Sequence, residues 1–315
     1  LNALVQEAAQ PSLAELAQTA QALADDSAAL CRDPDAQALA AARAAWVTGY
    51  QAWRRAGPFL FGPAQELSLT RRIGAWPSHG EVLEAVVRPD GIPEAGEEPK
   101  ARGYAGAEYL LFTVADASAA TAARRCNHLE AITGEIAERT GELDRRWRTD
   151  YGPEVMAGAD AAGTGSEAAL EPLERAIARS LNLTENLLWQ RTGLPSGFFR
   201  GDPRPELLEA PYSQQSKAGL AASLTGLERF LIGPEGVGIA SLAAAEDPAL
   251  AADIARALER SAAEVAGISG TVSAAISADN KRLSRLYDEV QELQNLIRDL
   301  VEVAGLRVIL TEDGD

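Results

Sequence analysis

Apolar residues recur along this chain at steps of three and four, the spacing of one helix face, and strand-like alternation is nearly absent. A helix is predicted over 12–30, opened by a capping box from Ser12 to Glu15 and closed before "RDPD". The next carries Leu39, Arg43, Trp46, Tyr50 and Trp53 and stops at Gly57-Pro58. A short helix follows "WPSHGE", where Ser78 and Glu81 can cap each other, and "RPDGIPEAGEEP" (88–99) is a loop by its Pro, Gly and acidic content. Helices are then expected over 101–115 and 119–150, the latter with Cys126, Leu129, Ile132, Ile136, Leu143 and Trp147 on one face. "GADAAGTGSE" (158–167) has small residues and no apolar period, as a linker does.

Beyond that linker the pattern restarts. Leu170, Leu173, Ile177, Leu181 and Leu188 mark one helix, Leu220, Leu224, Leu227 and Leu231 a second, and Leu250, Ile254, Leu258 and Val265 a third. The last, through Leu283, Leu286, Val290, Leu293, Ile297 and Leu300, has the regular seam of packed helices, and "LRVILTEDGD" leaves it as an extended tail. One repetition organises the whole: "FLFGP" (59–63) returns as "FLIGP" (230–234), each closing the second long helix of a four-helix pattern. The fold expected is all-α, two related up-down helical bundles side by side, spanning 1–157 and 166–315, each burying its own apolar seams.

At 315 residues, two domains are the ordinary expectation. The formal charge of −17 removes a nucleic-acid surface from consideration and disfavours adhesion to anionic lipid. Small molecules, cations and protein partners stay open. No apolar run approaches the roughly 20 residues needed to span a bilayer. The two cysteines, Cys31 and Cys126, are too few for a structural zinc site. They are either buried free thiols or one disulfide closing a long loop, and compartment decides between these.

Standard catalytic signatures are missing. "GLPSG" (193–197) is a helix stop and turn, and "GPEGVG" (233–238) follows a helix where a phosphate loop would follow a strand. His79 sits at a capping turn and His128 lies in "CNHLE", neither with a second ligand at helical spacing. "NLT" (182–184) matches a glycosylation acceptor by chance, inside a strong helix.

Several stretches, in order, resemble the imelysin family, also known as insulin-cleaving membrane protease-like or iron-regulated protein A-like proteins. They are "ARAAWVTGYQAWRRAGPFLFGP" with "IGAWP" (42–77), "RGYAGAEYLLF" (102–112), "APYSQQSKAGLAASLTGLERFLIG" (210–233) and the terminal "DGD" (313–315). The resemblance implies two helical bundles, export to the periplasm or cell envelope, a link to iron uptake and a site between the bundles. It also leaves room for a lipid anchor upstream of residue 1. The family motif is Gly-x-His-x-x-Glu, in which His and Glu share a helix face. Here Gly103 and Glu108 match, but Ala105 stands at the His position. Near "FLFGP" and "AWP", where the family carries acidic residues, this chain has Arg54, Gly57 and Gly74.

Three roles for Glu108 follow. It pairs with Arg54 or Arg55 as a buried carboxylate must, or it lines an inter-bundle pocket, or it serves a metal-bound water as general base. The pocket would be shared with Trp76, Arg54, Ser213 and Ser216 as ligand-binding residues. The third role needs about three protein ligands, which two isolated histidines do not supply. No cofactor is therefore expected, and no catalytic residue. Ser213 and Ser216 precede a helix, so at least one is expected to cap it. The functional expectation is a non-catalytic ligand-binding or accessory protein, its partner a small ligand or an envelope protein. An imelysin-type metal-dependent peptidase and a helical interaction scaffold are the alternatives.

Overall fold

A computed structural model describes residues 2–77, 80–88, 99–120, 122–162, 167–199, 201–278 and 281–308, and no strand occurs among them. Eight principal helices carry the fold: α1 (Gln10–Arg32), α2 (Ala36–Ala56), α3 (Gly103–Phe112), α4 (Ala123–Arg146), α5 (Glu167–Asn186), α6 (Ser216–Leu231), α7 (Leu250–Ala266) and α8 (Lys281–Val303). In the first half α1 lies between α2 and α4, and the short α3 packs on both α2 and α4. In the second half α7 lies between α6 and α8, and α5 packs on α8. No described helix is long and apolar enough to cross a membrane.

The helix boundaries depart from the sequence reading where capping was inferred from residue type. A π-helical turn at Leu4–Ala9 runs straight into α1, which places Ser12 inside the helix and buried. Ser12 therefore caps nothing. Its hydroxyl accepts from Arg229, and Glu15 pairs with Arg55 and Arg229. True side-chain capping occurs at α2, where the Asp35 carboxylate accepts from the Ala38 amide at 2.7 Å. The first half of the expected linker is helical, because a helix at Gly152–Ala162 continues through it. Ser78, His79, most of the 88–99 loop, residues 163–166 and the final "DGD" lie outside the described residues.

The apolar seams of the two halves are not separate. Helix α6 of the second half packs directly on α2 of the first, and α5 packs on the Gly57–Phe59 turn that ends α2. The buried side chains of both halves consequently form one hydrophobic cluster. Close approach is set by small residues: a Cβ on Gly226 would lie 2.3 Å from the Arg55 carbonyl oxygen, so only glycine admits α2 at this distance. The repeated pentapeptides meet here, since Phe59 and Phe230 contact edge to face with centroids 6.0 Å apart. Each repeat also carries, just before its proline, a glycine with positive φ, Gly62 at 57° and Gly233 at 70°, where the chain turns sharply.

Candidate functional site

Glu108 sits on α3, a helix buried almost all round. Its start depends on Gly103, whose φ is +62° and whose missing Cβ would fall 2.1 Å from the Ile73 carbonyl oxygen. The glycine of the sequence motif is thus a backbone requirement that brings α3 against the preceding segment. The Tyr104 carbonyl accepts a 2.8 Å hydrogen bond from the Trp46 indole and ties α3 to α2.

The Glu108 side chain is fully buried. Its Oε1 accepts from both the backbone N–H and the hydroxyl of Ser213, each at 2.7 Å, while Oε2 is buried and accepts no hydrogen bond. Ser213 belongs to the segment leading into α6, so this carboxylate of the first half is held by the second. Neither arginine expected as its partner reaches it. Arg54 bonds Glu209 at 3.0 Å and Arg55 bonds Glu15 at 2.6 Å. Nor does either serine cap α6. Ser216 is the first residue of that helix and its hydroxyl accepts from the Ala210 amide at 3.3 Å, while Gln215 occupies the cap without a side-chain bond.

Burial pushes the Glu108 carboxyl up to about 7, and the Ser213 hydrogen bonds only partly offset it. A raised carboxyl pKa means that the folded chain holds a proton the unfolded chain has released. Ionising Glu108 therefore lowers stability as pH rises from about 4.5 to 7, and its full cost, on the order of 3 kcal/mol, applies above that window. Glu108→Gln keeps the shape and cannot ionise. Its stability relative to the parent should climb across the same interval and then level off. Urea unfolding at a series of pH values measures this, and parallel curves would refute it.

A second carboxylate organises the contact between the halves. Glu209 is joined by Arg54 (Nη1 to Oε1, 3.0 Å), Arg191 (Nε to Oε2, 2.7 Å) and the Tyr50 hydroxyl (3.0 Å). Despite a burial penalty that acts to raise it, the charges of Arg191 and Arg54 hold the Glu209 carboxyl down to about 2. Arg54 also donates from Nε to the Ser223 hydroxyl at 3.1 Å. Burial and the like charge of Arg191 lower the Arg54 pKa.

Beside this cluster a cavity of about 760 Å³ opens between the halves. Trp53, Arg54, Arg71, Gly74, Ala75 and Trp76 supply one wall, and Arg179, Asn182, Asn186 and Arg191 supply the other. Of the residues singled out from sequence, Arg54 and Trp76 line this cavity, whereas Glu108, Ser213 and Ser216 do not. Ala105 borders a much smaller void, about 10 Å³, shared with Trp46, Tyr104, Trp76 and Glu209. His128 bonds the Ala101 carbonyl through Nε2 at 3.0 Å. Among the described residues no three His, Cys, Asp or Glu side chains lie close enough to hold a metal ion. Glu108 with Ser213, and alanine at the motif's imidazole position, is thus a donor set that does not fit a catalytic zinc. Sequence reasoning missed Glu209, Arg191, Arg179 and Tyr50. Glu209 immediately precedes the quoted "APYSQQS", and a lone acidic residue beside an apolar turn was its one visible signal.

These features define the chain as an all-α protein of two packed helical halves with a polar cavity between them. The imelysin family model matches residues 9–300, and the chain belongs to that family. An imelysin-like protein from Psychrobacter arcticum 273-4 is 21% identical with a TM-score of 0.74, over 96% of this chain and 93% of that one. A structure assigned as an iron-regulated protein A precursor from Parabacteroides distasonis ATCC 8503 is 16% identical with a TM-score of 0.81, with the same coverage of 96% and 93%. Comparison with curated proteins found no match.

Proposed function

We propose that this chain is an exported binding or accessory protein serving iron acquisition, without catalytic activity of its own, whose ligand occupies the cavity between the two halves. The observation that carries the proposal is the 760 Å³ cavity, within the size range of small-ligand sites, on a chain whose motif helix has Ala105 where an imidazole would ligate. The iron link is supported by the name of the Parabacteroides distasonis protein. Export is supported by the word "precursor" in that name and by the Cys31–Cys126 disulfide, since such bonds persist in oxidising compartments.

Metal-dependent hydrolysis is the competing reading. One feature favours it: the burial of Glu108 pushes its carboxyl up to about 7, in the range that suits a general base. Incubating the protein with a denatured polypeptide, with and without added zinc, separates the two. The binding role requires cleavage at background level in both conditions, unchanged in Glu108→Gln. Zinc-dependent cleavage that disappears in Glu108→Gln would establish a peptidase instead.

A further inference from the structure

The unmet hydrogen bonding around the large cavity is all of one kind. Arg54 and Arg191 both line it, and each retains one guanidinium nitrogen, Nη2 and Nη1 respectively, that is buried and meets no acceptor. Trp76 lines it too, and its indole Nε1 is a third buried donor without an acceptor. Water does not reach these nitrogens. The group that would satisfy all three is a hydrogen-bond acceptor, such as an anionic oxygen.

Charge points the same way. Arg54 and Arg191 share the single carboxylate of Glu209, so the buried triad carries one positive charge in excess. Arg71 adds a further cation to the cavity lining and Glu185 one carboxylate, so the balance around the pair stays positive. That is a local reversal on a chain whose formal charge is −17. A cationic ligand would be repelled here, and an uncharged apolar one would leave the donors unpaired.

We propose that this cavity binds a small oxyanion, of the carboxylate or phosphate class, on the Arg54–Arg191 pair. The proposal rests on the binding role above and names the ligand class for it. Guanidinium groups suit this task because each of the two keeps one charged N–H donor beyond its bonds to Glu209, and charge-assisted bonds to an oxyanion are strong. The cavity volume leaves room for an organic body beyond the anionic group. At the mouth, Trp189 is 47% exposed and stacks on Phe199 with centroids 4.1 Å apart, a flat apolar face for that body.

Isothermal titration calorimetry on the intact chain, with citrate in one arm and inorganic phosphate in the other at matched ionic strength, tests this. Saturable binding at one site per chain is expected in at least one arm. The arm that binds more tightly identifies the anion class. Arg191→Gln removes one of the pair. Arg71→Glu reverses an exposed charge at the rim and leaves the buried triad intact, so it reports on binding even if the first variant folds poorly. Each should weaken binding by about tenfold or more. No heat from either anion up to about 10 mM, or binding indifferent to both substitutions, overturns the proposal. Zinc-dependent cleavage in the parallel peptidase assay would sink the non-catalytic role while leaving the anion result standing, so the two failures are distinguishable.

Discussion

Glu209→Ala should lower the unfolding free energy by about 3–5 kcal/mol at neutral pH, among the largest losses available to a single substitution in this chain. The carboxylate is the shared acceptor of Arg54, Arg191 and the Tyr50 hydroxyl, and Arg54 and Tyr50 are 5% and 2% exposed. Removing it leaves two close guanidinium charges with no counter-charge and a buried hydroxyl with no acceptor. Arg54 and Tyr50 belong to α2 and Arg191 to the second half, so the damage falls on the contact between the halves. Glu209→Gln separates charge from shape, because it preserves volume and one acceptor oxygen. The pH dependence supplies the signature. The folded carboxyl is held at about 2, below its ordinary 4.5, so its stabilisation is complete above 4.5 and is lost as pH falls toward 2. The gap between the parent and Glu209→Gln should therefore be widest near neutrality and shrink on acidification. Glu108→Gln behaves oppositely, gaining on the parent as pH rises. Urea titrations of both variants across pH 2–8 read the two trends, and a Glu209→Gln gap that does not narrow in acid would remove the triad from the energetics.

The helices were legible because each long one keeps an apolar stripe that must face a core, and period alone reveals it. Helix α8 is the clearest case, with Leu283 through Leu300 all buried at the predicted positions. What period cannot show is which stripe meets which. Leu220, Leu224, Leu227 and Leu231 of α6 read as the seam of a self-contained bundle, yet α6 closes over α2, and Phe230 meets Phe59. The small residues that permit this contact, Gly219 and Gly226, carry no hydrophobic signal of their own. Capping signals misled for a related reason. Ser12, Ser213 and Ser216 have the right side chains for caps, but each hydroxyl is taken by a partner outside its own helix start: Arg229, Glu108 and the Ala210 amide. For the site, the motif resemblance led to Glu108 and its absent imidazole. The Arg54–Glu209–Arg191 cluster joins residues 155 and 18 positions apart, and no local pattern encodes such a meeting.

Breaking the Cys31–Cys126 bond should be as costly as losing Glu209, through a different state of the chain. The disulfide joins the end of α1 to the start of α4 and closes a loop across 95 residues. In the chain-entropy account a loop of that length restrains the unfolded ensemble by about 4–5 kcal/mol. In the folded state α1 and α4 pack along their length without help from the bond, so Cys31→Ser with Cys126→Ser should leave the native helices in place. The unfolded chain, freed of its cross-link, expands and exposes more surface. Two changes should appear together in urea: a lower midpoint, and a steeper dependence of stability on denaturant. Glu209→Ala shifts the midpoint with little change of slope, so the slope tells the two mechanisms apart. Adding a reductant to the parent should reproduce the double-serine curve. Coincident curves with and without reductant would mean that the thiols are not joined. If they are joined, a loss of this size is a large share of the about 5–15 kcal/mol that folded domains have in total. The chain would then be well stabilised only where the bond persists, and that requirement, independent of any family likeness, favours a working place beyond the reducing cytoplasm.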